Sequence, residues 1–520
     1  MWHTAQPCTP QSTLTWDRPE CGNLLPGGSR PSGVSGDDSV PRARRPRTGT
    51  WRVVLAALCV VTALAGALVW SGRLDTTPPD TLHPDVAASA AADPTRLDAA
   101  APCPGVIGFT CGFMSVPLDR GGRVPGTLRL GVAVSTRDGA RRGTLLLLTG
   151  GPGQPGVSLV PRMLDRIGYL LDDYRLVMID QRGTGSTAID CPRLQAEVGS
   201  SDITPASPQA ISECVDVLGP ARDFYTTGDT VADLDDLRRT LGVTRWTLDG
   251  VSYGSFVAAQ YALTHPAQVE RLVLDSVVPL DGGGTLYEAA LQRTPFVLRQ
   301  ACQEQSCGFD PVAALTDVVR RHDLGVGVFD LLVTASIVDP GLKGPPAYEP
   351  VLRLLRDAAD GDLGPLTEAI AEQQGGAGTP ATAYSAGLHL ATLCADLTDA
   401  PWGDSTAPPA GRSAKLAEAA ARVDTGPYDA RTAAGQGIAH NCALWPPTRP
   451  NVRPSLGQLT MPVLLLAGDR DLSTPLVWAQ ATAEQAPRGR LAVIAGMGHS
   501  IQGRHPEGDA AVRAFLLEPV

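Results

Sequence analysis

Three distant segments of the chain hold a serine, a carboxylate and a histidine in settings that could make the serine a nucleophile. Ser252 lies in the pentapeptide G-V-S-Y-G at positions 250–254. Asp469 and Asp471 follow one apolar run, and His499 follows another. A serine hydroxyl is a weak nucleophile, so it needs a base and a third group that orients the base. Together these residues predict acyl transfer through a covalent serine intermediate.

The pentapeptide depends on its context, because a chain with 56 glycines produces such spacings by chance. The run at 245–249 predicts a buried strand, and a helical pattern begins near Gly254. On so tight a strand-to-helix turn, side chains two residues before and after Ser252 would collide with the flanking elements. The helix start would also present backbone N–H groups to a developing negative charge.

The elements that must position these residues alternate between strand and helix patterns, and a helical pattern at 230–241 precedes the Ser252 strand. An alternating pattern at 128–134 is typical of an outer strand. Continuous apolar runs are typical of strands buried on both faces. These runs lie at 144–148, 176–179 and 272–274, and strand-like runs return at 461–468 and 490–494. The sequence therefore predicts an α/β fold with a mostly parallel sheet and helices on both faces. Because catalytic groups in such sheets gather at the carboxyl ends of the strands, Asp469, Asp471 and His499 should meet Ser252 there.

Composition shifts and the change to amphipathic helical patterns after about residue 280 predict six segments. The predicted segments are a disordered cytoplasmic leader (1–52), a transmembrane anchor or signal-peptide apolar region (53–70), a linker (71–100), the first part of the sheet domain (101–279), a mainly helical cap insertion (280–455) and the second part of the sheet domain (456–520).

The uncharged run from Val53 to Trp70, preceded by clustered arginines, predicts export of the rest of the chain. As a helix it is just long enough to cross a hydrocarbon core of about 30 Å. Two interpretations stay open, an uncleaved anchor and a signal peptide cleaved near Ala63-Leu64-Ala65. A lipid anchor at Cys59 is only the third choice, because the leucine before that cysteine fits a lipid-attachment motif poorly.

Cysteine usage tests export independently, because eight of the 11 cysteines follow the apolar run. They are Cys103, Cys111, Cys191, Cys214, Cys302, Cys307, Cys394 and Cys442. An even number predicts up to four disulfides in an oxidising compartment, although eight cysteines allow about 105 connectivities. Closeness in the sequence pairs the first six of these cysteines two by two in chain order, and Cys394 and Cys442 remain as the fourth pair. No C-x-x-C motif occurs and histidine is sparse, so neither a metal nor another cofactor is expected.

The net charge of −11 and the lack of basic blocks in the predicted folded part exclude nucleic acid as an expected partner. The expected partners are a peptide or small ester substrate and, through the N-terminal apolar run, a membrane. The expected assembly is a monomer.

In four blocks the chain resembles the α/β-hydrolases of the prolyl aminopeptidase and tripeptidyl aminopeptidase family, in the secreted branch with a TAP-like C-terminal region. The blocks are Gly150–Gly153, Asp180–Ser186, the Ser252 pentapeptide, and Gly468–Pro475 followed by Gly498-His499. The resemblance implies an α/β-hydrolase fold. It also implies that Asp471 is the acid of a Ser252, Asp471, His499 triad, a choice that the residues alone leave open between Asp469 and Asp471.

The Gly150–Gly153 loop predicts part of an oxyanion hole. Acyl transfer needs two donors aimed at the forming oxyanion, one from the residue after the nucleophile and one from a loop after an early strand. Tyr253 is the first donor; Gly151 is the preferred second donor, with Gly150 as the alternative. Thr149 precedes these glycines where cytosolic prolyl aminopeptidases carry histidine, which weakens any expectation of strict proline specificity.

The resemblance implies an enzyme that releases short peptides from substrates with a free amino terminus, read by a carboxylate of the insertion. Glu288, Glu349 and Asp396 are unranked candidates for that carboxylate. Two rival functions remain, a cell-envelope carboxylesterase or lipase-like hydrolase with the same triad, and a catalytically dead, membrane-tethered binding protein. The physiological substrate and the choice between peptide and ester lie beyond the sequence.

Overall fold

The computed structural model describes residues 92–136, 140–338, 348–374, 379–451 and 457–517. The predicted leader, the apolar run Val53 to Trp70 and the linker up to residue 91 lie outside the described residues. Among the helices that are described, none has the length and apolarity needed to cross a membrane. Ordered structure starts earlier than the sequence suggested, since Ala92 is buried and a first strand precedes Cys103.

Nine strands in the described chain form one sheet in the order β1-β2-β3-β5-β4-β6-β7-β8-β9. The strands are β1 (Asp98–Pro102), β2 (Phe109–Pro117), β3 (Thr127–Ser135), β4 (Thr144–Leu148), β5 (Arg175–Ile179), β6 (Trp246–Val251), β7 (Val269–Asp275), β8 (Val463–Gly468) and β9 (Gly489–Ile494). The first three are antiparallel to their neighbours, and the remaining pairs are parallel. The predicted α/β class with a mostly parallel sheet is confirmed.

The described residues also form sixteen α-helices. They are α1 (Val160–Ile167), α2 (Pro192–Val198), α3 (Pro208–Leu218), α4 (Thr227–Thr240), α5 (Tyr253–Thr264), α6 (Glu288–Gln305), α7 (Pro311–His322), α8 (Gly325–Val338), α9 (Tyr348–Ala359), α10 (Gly364–Gln374), α11 (Ala386–Asp396), α12 (Arg412–Ala420), α13 (Ala430–Gly435), α14 (Gly437–Leu444), α15 (Leu476–Glu484) and α16 (Pro506–Leu517).

Both faces of the sheet are covered by helices, which explains why the central strands are continuously apolar. Successive side chains of a strand point to opposite faces. In β4, Leu146 and Leu148 belong to the core shared with α4 and α5, whereas Leu145 and Leu147 belong to the core shared with α1 and α16. All five residues of β4 are buried as a result.

Between β7 and β8 the described residues form helices α6 to α14, in the interval for which a helical insertion is predicted. Several of these helices share a core of their own, which includes Leu315, Phe329 and Leu355. The described chain nevertheless belongs to a single compact unit. The insertion is therefore packed closely on the sheet rather than linked to it loosely.

Strands β1 and β2 were not predicted. β2 pairs with β3 along its whole length, and its burial alternates unevenly around Gly112. A Cβ at Gly112 would stand 2.7 Å from the Cβ of Leu97, so β2 is held against the chain that precedes it by close backbone packing. Such contacts leave no hydrophobic pattern in the sequence, so the pattern could not predict these strands.

Candidate active site

Ser252 lies at the point where β6 turns directly into α5, and its backbone has the unusual angles φ 59° and ψ −128°. Such a conformation costs a non-glycine residue roughly 1–3 kcal/mol and persists only where the surroundings enforce it. Here β6 is enclosed between β4 and β7, and the Ser252 amide donates to the carbonyl of Asp275 at 2.9 Å. The structure thus holds the serine in a strained turn at the carboxyl edge of the sheet.

The two flanking glycines are required by space, as the sequence predicts. A Cβ at Gly250 would lie 2.2 Å from the carbonyl oxygen of Gly254, and a Cβ at Gly254 would lie 2.3 Å from that of Leu148. Neither clash can be relieved by moving a flexible side chain, because both partners are backbone atoms. A larger residue at Gly250 would push α5 away from β6, and a larger residue at Gly254 would push the Ser252 turn away from β4.

Asp471 and His499 form a buried pair. His499 Nδ1 donates to Asp471 Oδ2 at 2.8 Å, and the two residues are 6% and 1% exposed. Burial lowers the pKa of His499, but the charge of Asp471 and its hydrogen bond raise it by more, so the net pKa lies above the usual 6.5. The pair can therefore hold an imidazole in one tautomer and stabilise its protonated form.

Asp471 is itself fixed by the loop that follows β8. Its Oδ1 accepts from the amides of Ser473 and Thr474 at 2.8 Å each, and its Oδ2 accepts from the Thr474 hydroxyl at 2.6 Å. Asp469 instead accepts from the amide of Gly496 at 2.8 Å, which ties the loop after β8 to the loop after β9. Of the two carboxylates that the residues alone left open, Asp471 is the one bonded to His499.

Ser252 and His499 line the same cavity, which has a volume of about 260 Å³. The sheet order explains this meeting of distant segments, because β6, β7, β8 and β9 are adjacent and parallel and so end at one edge. The loop that carries His499 is held from both sides. The His499 amide donates to the carbonyl of Ser336 at 2.8 Å, and the Ser500 amide donates to the Ser276 hydroxyl at 2.7 Å.

The Gly150–Gly153 loop passes directly over Ser252, because β4 lies beside β6 in the sheet. A Cβ at Gly150 would stand 3.0 Å from the Cβ of Ser252 and 3.4 Å from its Oγ. Gly151 has φ 104°, a conformation that favours glycine, and it lines the same cavity. Tyr253 is the first residue of α5, where a backbone N–H has no intrahelical acceptor. Both expected oxyanion donors are therefore close to the serine.

The block that follows β5 braces this loop. Asp180 Oδ1 accepts from the amides of Gly156 and Val157 at 2.8 Å each. Arg182 forms a buried ion pair with Asp233, with contacts of 2.7 Å. None of these side chains lines the Ser252 cavities, so they brace the loops around the site and do not face the serine.

Two family models match the chain. One, described as alpha/beta hydrolase fold, covers residues 143–301, and the other, described as TAP-like protein, covers residues 427–520. The first contains the Ser252 turn and the Gly150–Gly153 loop, and the second contains Asp471 and His499. The chain has an α/β-hydrolase fold with a TAP-like C-terminal region.

Curated relatives of this chain include three named peptidases. The tripeptidyl aminopeptidase of Streptomyces lividans is 30% identical over 203 residues, which is 35% of this chain and 38% of the relative. Serine protease Hip1 of Mycobacterium tuberculosis is 30% identical over 190 residues, 33% of this chain and 36% of the relative. Proline iminopeptidase of Xylella fastidiosa is 34% identical over 136 residues, 26% of this chain and 33% of the relative. The chain thus matches about a third of the length of each relative, and it has the fold and the relatives of a serine hydrolase.

Ser252 also lines a second, smaller cavity of about 90 Å³, which we call the anionic arm. Its walls include aromatic side chains such as Phe256 and Trp478 and aliphatic ones such as Leu393, and the described residues that line it include no arginine or lysine. The carboxylates on its lining are Asp202, Asp281, Asp396 and Asp399. Asp202 lines the larger cavity too, so this residue lies where the two cavities meet.

The three carboxylates expected to read a substrate ammonium lie in different places. Glu288 and Glu349 are exposed on α6 and α9 and are not lining residues of either Ser252 cavity, which corrects the expectation for both. Amphipathic helices of a packed insertion turn such residues to solvent. Asp396 does line the anionic arm, but the amide and hydroxyl of Thr227 donate to its two oxygens. That contact helps to fix the start of α4.

Asp202 is the carboxylate that sequence reasoning missed. It lies in the loop between α2 and α3, and its Oδ1 is 3.1 Å from Nε2 of His389. The phenol of Tyr287 also forms a hydrogen bond with the Asp202 carboxylate. Burial, with the charges of Asp202 and Asp471, raises the pKa of the Tyr287 phenol well above 10, so the phenol keeps the proton that it donates. No motif marks Asp202, because its position depends on α11 and on the start of α6, which approach from elsewhere in the chain.

Within the described residues, four disulfides join Cys103 with Cys111, Cys191 with Cys214, Cys302 with Cys307, and Cys394 with Cys442. These are the pairs that sequence proximity favours. Disulfides of this number are typical of proteins that fold in an oxidising compartment.

Proposed function

We propose that this protein is an exported serine aminopeptidase that releases short peptides from the free amino terminus of a peptide substrate. The observation that carries the proposal is the 2.8 Å bond between His499 Nδ1 and Asp471 Oδ2 in the cavity that Ser252 lines. The peptidase names of the relatives support the reaction class. Export is supported by the disulfides and by the apolar run at 53–70, as an uncleaved anchor or as a signal peptide.

In the proposed mechanism Ser252 Oγ attacks the carbonyl carbon of the scissile amide, and His499 Nε2 takes the hydroxyl proton. Asp471 keeps the imidazole in the required tautomer and stabilises its cationic form. His499 then gives the proton to the departing amine as the C–N bond breaks, which leaves an acyl-enzyme on Ser252. Water, deprotonated by His499, hydrolyses this ester and restores the serine.

The negative charge that forms on the carbonyl oxygen requires fixed donors. We assign this role to the backbone N–H groups of Tyr253 and Gly151, with Gly150 as the alternative to Gly151. Glycine at these positions lets the backbone approach the substrate, and the contact between the Gly150 position and Ser252 supports the assignment. Loss of one such donor typically costs about 10²- to 10³-fold in kcat.

Recognition of the free amino terminus is assigned to the anionic arm. Its carboxylates favour a cation, and its aromatic and aliphatic walls suit the side chains of a short peptide. Asp202 is the proposed contact, because it lies at the junction of the two cavities and both His389 and Tyr287 orient it. A carboxylate has about four lone-pair sites, so these contacts leave it able to accept from an ammonium.

The test compares Ala-Ala-Pro-nitroanilide with its N-acetyl derivative. We expect kcat/KM to fall at least about tenfold on acetylation, because a charge-assisted hydrogen bond is lost. Asp202→Asn should remove most of this difference. Glu349→Gln, a carboxylate on the exposed face of α9, serves as the control and should leave the difference intact. Equal rates for the free and the acetylated substrate would rule out the exopeptidase.

Labelling by a fluorophosphonate separates the rival functions. The wild-type protein should be labelled stoichiometrically and Ser252→Ala should not. Failure of the wild type to react would indicate a catalytically dead binding protein. Fast turnover of aryl esters beside negligible turnover of the nitroanilide would instead indicate a carboxylesterase.

A further inference from the structure

Three arginines line the larger Ser252 cavity, and we call this cluster the cationic arm: Arg162 and Arg166 on α1, and Arg504 after the His499 loop. Arg162 and Arg166 are one helical turn apart, so their side chains share a face of α1. Arg166 Nη1 donates to the Ser500 hydroxyl at 2.8 Å, and Arg504 Nη1 donates to the His499 carbonyl at 2.6 Å. The arginines therefore lie immediately around the loop that presents the imidazole.

The cationic arm concentrates like charges in a partly buried place. Burial, together with the charges of Arg162 and Arg504, lowers the pKa of Arg166 to about 10, against a smaller opposing effect of Asp275. A guanidinium normally avoids such surroundings unless an anion compensates for it.

The carboxylates that line the same cavity have other partners. Asp330 accepts from Ser201 and Thr204, and Asp202 contacts His389. Asp249 is bonded to Gln502, and burial raises the pKa of Asp249 to about 7 despite that bond. Within the described part of the chain, none of the three is bonded to Arg162 or Arg166.

The direction of the substrate follows from the position of His499. As general acid, His499 must reach the nitrogen of the departing fragment, so that fragment leaves on the side of the cavity where the imidazole lies. His499 is on the lining of the larger cavity and is not on that of the anionic arm. The acyl part, with its ammonium, then occupies the anionic arm, and the departing peptide extends beside the arginines.

We propose that the cationic arm binds a carboxylate of the departing peptide, so that the enzyme selects short peptides with both termini free. This inference rests on the proposed aminopeptidase function and adds the substrate class. The two arms have opposite charge, and Ser252 lines both of the cavities to which they belong, which suits a zwitterionic oligopeptide bound across the serine. A guanidinium cluster is matched to carboxylates because it offers paired N–H donors in one plane.

The carboxylate can come from the C-terminus of the departing peptide or from an acidic side chain next to the scissile bond. Three sets of peptides distinguish the sources, each made with one and with two residues after proline. The first set is Ala-Ala-Pro-Ala and Ala-Ala-Pro-Ala-Ala as free acids, the second is the same peptides as C-terminal amides, and the third is Ala-Ala-Pro-Asp and Ala-Ala-Pro-Ala-Asp as amides. We expect kcat/KM for the better free acid to exceed that of its amide by about tenfold.

Variants of the cationic arm test whether the arginines cause this preference. In Arg162→Glu the ratio of acid to amide should fall to about one or below, because the charge facing the carboxylate is reversed. Arg166→Gln should lower the same ratio. Arg320→Glu is the matched control, since it makes the same change of net charge at an exposed position of α7 outside both cavities. In the wild type, added salt should reduce the ratio, because screening weakens a partly exposed ionic contact.

The possible outcomes separate this inference from the proposed function. Cleavage of acids and amides at equal rates at both lengths would overturn the inference and leave the aminopeptidase standing. An equal fall of the ratio in Arg162→Glu and Arg320→Glu would overturn it too. If kcat/KM is higher for the aspartyl amides than for the alanyl amides, but is the same for the free acids and their amides, the assignment of the terminal carboxylate as the ligand is wrong. If no peptide is cleaved although Ser252 is labelled by a fluorophosphonate, both the proposed function and this inference are wrong.

Discussion

At the scale of single residues, the site depends on the different surroundings of two carboxylates that stand two positions apart. Asp471 is 1% exposed and receives four hydrogen bonds, one of them from the imidazole of His499. Asp469 joins two loops through the Gly496 amide, and its carbonyl accepts from Arg293. The turn after β8 directs one side chain to the histidine and the other to the neighbouring loop, and this gives the two residues unequal roles.

We predict that Asp471→Asn lowers kcat/KM by about 10³- to 10⁴-fold, because the asparagine favours the wrong imidazole tautomer and leaves the imidazolium without its counter-charge. Asp469→Asn is the isosteric control. It keeps an oxygen for the Gly496 amide, so we expect a loss below about tenfold. Comparable losses in the two variants would contradict the assignment of Asp471.

The pH profile supplies a second residue-scale prediction. A base must be neutral to accept a proton, so kcat/KM should fall as the pH drops through the His499 pKa. Burial opposes protonation, but Asp471 and, more weakly, Asp275 and Asp202 favour it, and their sum raises this pKa above 6.5. The acid limb should therefore lie above pH 6.5 in the wild type. It should shift to lower pH in Asp202→Asn, which removes one charge without removing the bond to Asp471; an unchanged limb would contradict this.

At the scale of elements, the insertion holds the loop expected to form the oxyanion hole. The Ser385 amide at the start of α11 donates to the Gly153 carbonyl at 3.0 Å, and His389 Nδ1 lies 2.9 Å from the Pro152 carbonyl oxygen. His389 contacts Asp202 through its other nitrogen. One helix therefore contacts both the oxyanion loop and the carboxylate proposed to bind the substrate.

Gly153→Ala should disturb this contact. Its Cβ would lie 2.7 Å from the Ser385 carbonyl oxygen, and the glycine has φ 120°. We expect a fall in kcat of at least about tenfold, because the loop must withdraw from its position over Ser252. Gly219→Ala is the control, since Gly219 also has positive φ but its Cβ would meet no atom within 4 Å. Its cost should be limited to about 1 kcal/mol of stability, with kcat unchanged. Urea unfolding and steady-state kinetics measure the two effects.

At the scale of the whole molecule, disulfides join parts of the insertion that surround the site. Cys394 on α11 is bonded to Cys442 on α14, across 48 residues, whereas Cys103 and Cys111 are only 8 residues apart. In the chain-entropy view, a longer closed loop removes more freedom from the unfolded chain.

We predict that the double variant Cys394→Ser with Cys442→Ser loses about 1–2 kcal/mol more stability than Cys103→Ser with Cys111→Ser. The difference of the urea midpoints, at equal slopes, measures it. The first variant should also raise KM, because α11 carries His389 beside the cavity. Equal loss of stability in the two variants would contradict the prediction.

The amino-acid sequence by itself determined the features that are local in the chain. Apolar and alternating patterns are local in the chain, so the strands β3 to β9 and the parallel sheet could be predicted, although β9 lies at the edge of the sheet and is only partly buried. Steric demand at a tight turn identified Gly250 and Gly254, and the order of the residues identified Ser252 and His499 as partners. The Cys394 and Cys442 pair followed once nearer cysteines were paired.

Only the tertiary structure decided which charged groups face the serine. Asp202, Arg162 and Arg504 come from three distant segments, and their types and spacing resemble those of ordinary surface residues. Glu288 and Glu349 met the same chemical requirement, yet packing of the insertion turned them to solvent. The physical reason is that burial of apolar faces fixes how helices lie on the sheet, and polar side chains reach a cavity only as a consequence of that packing.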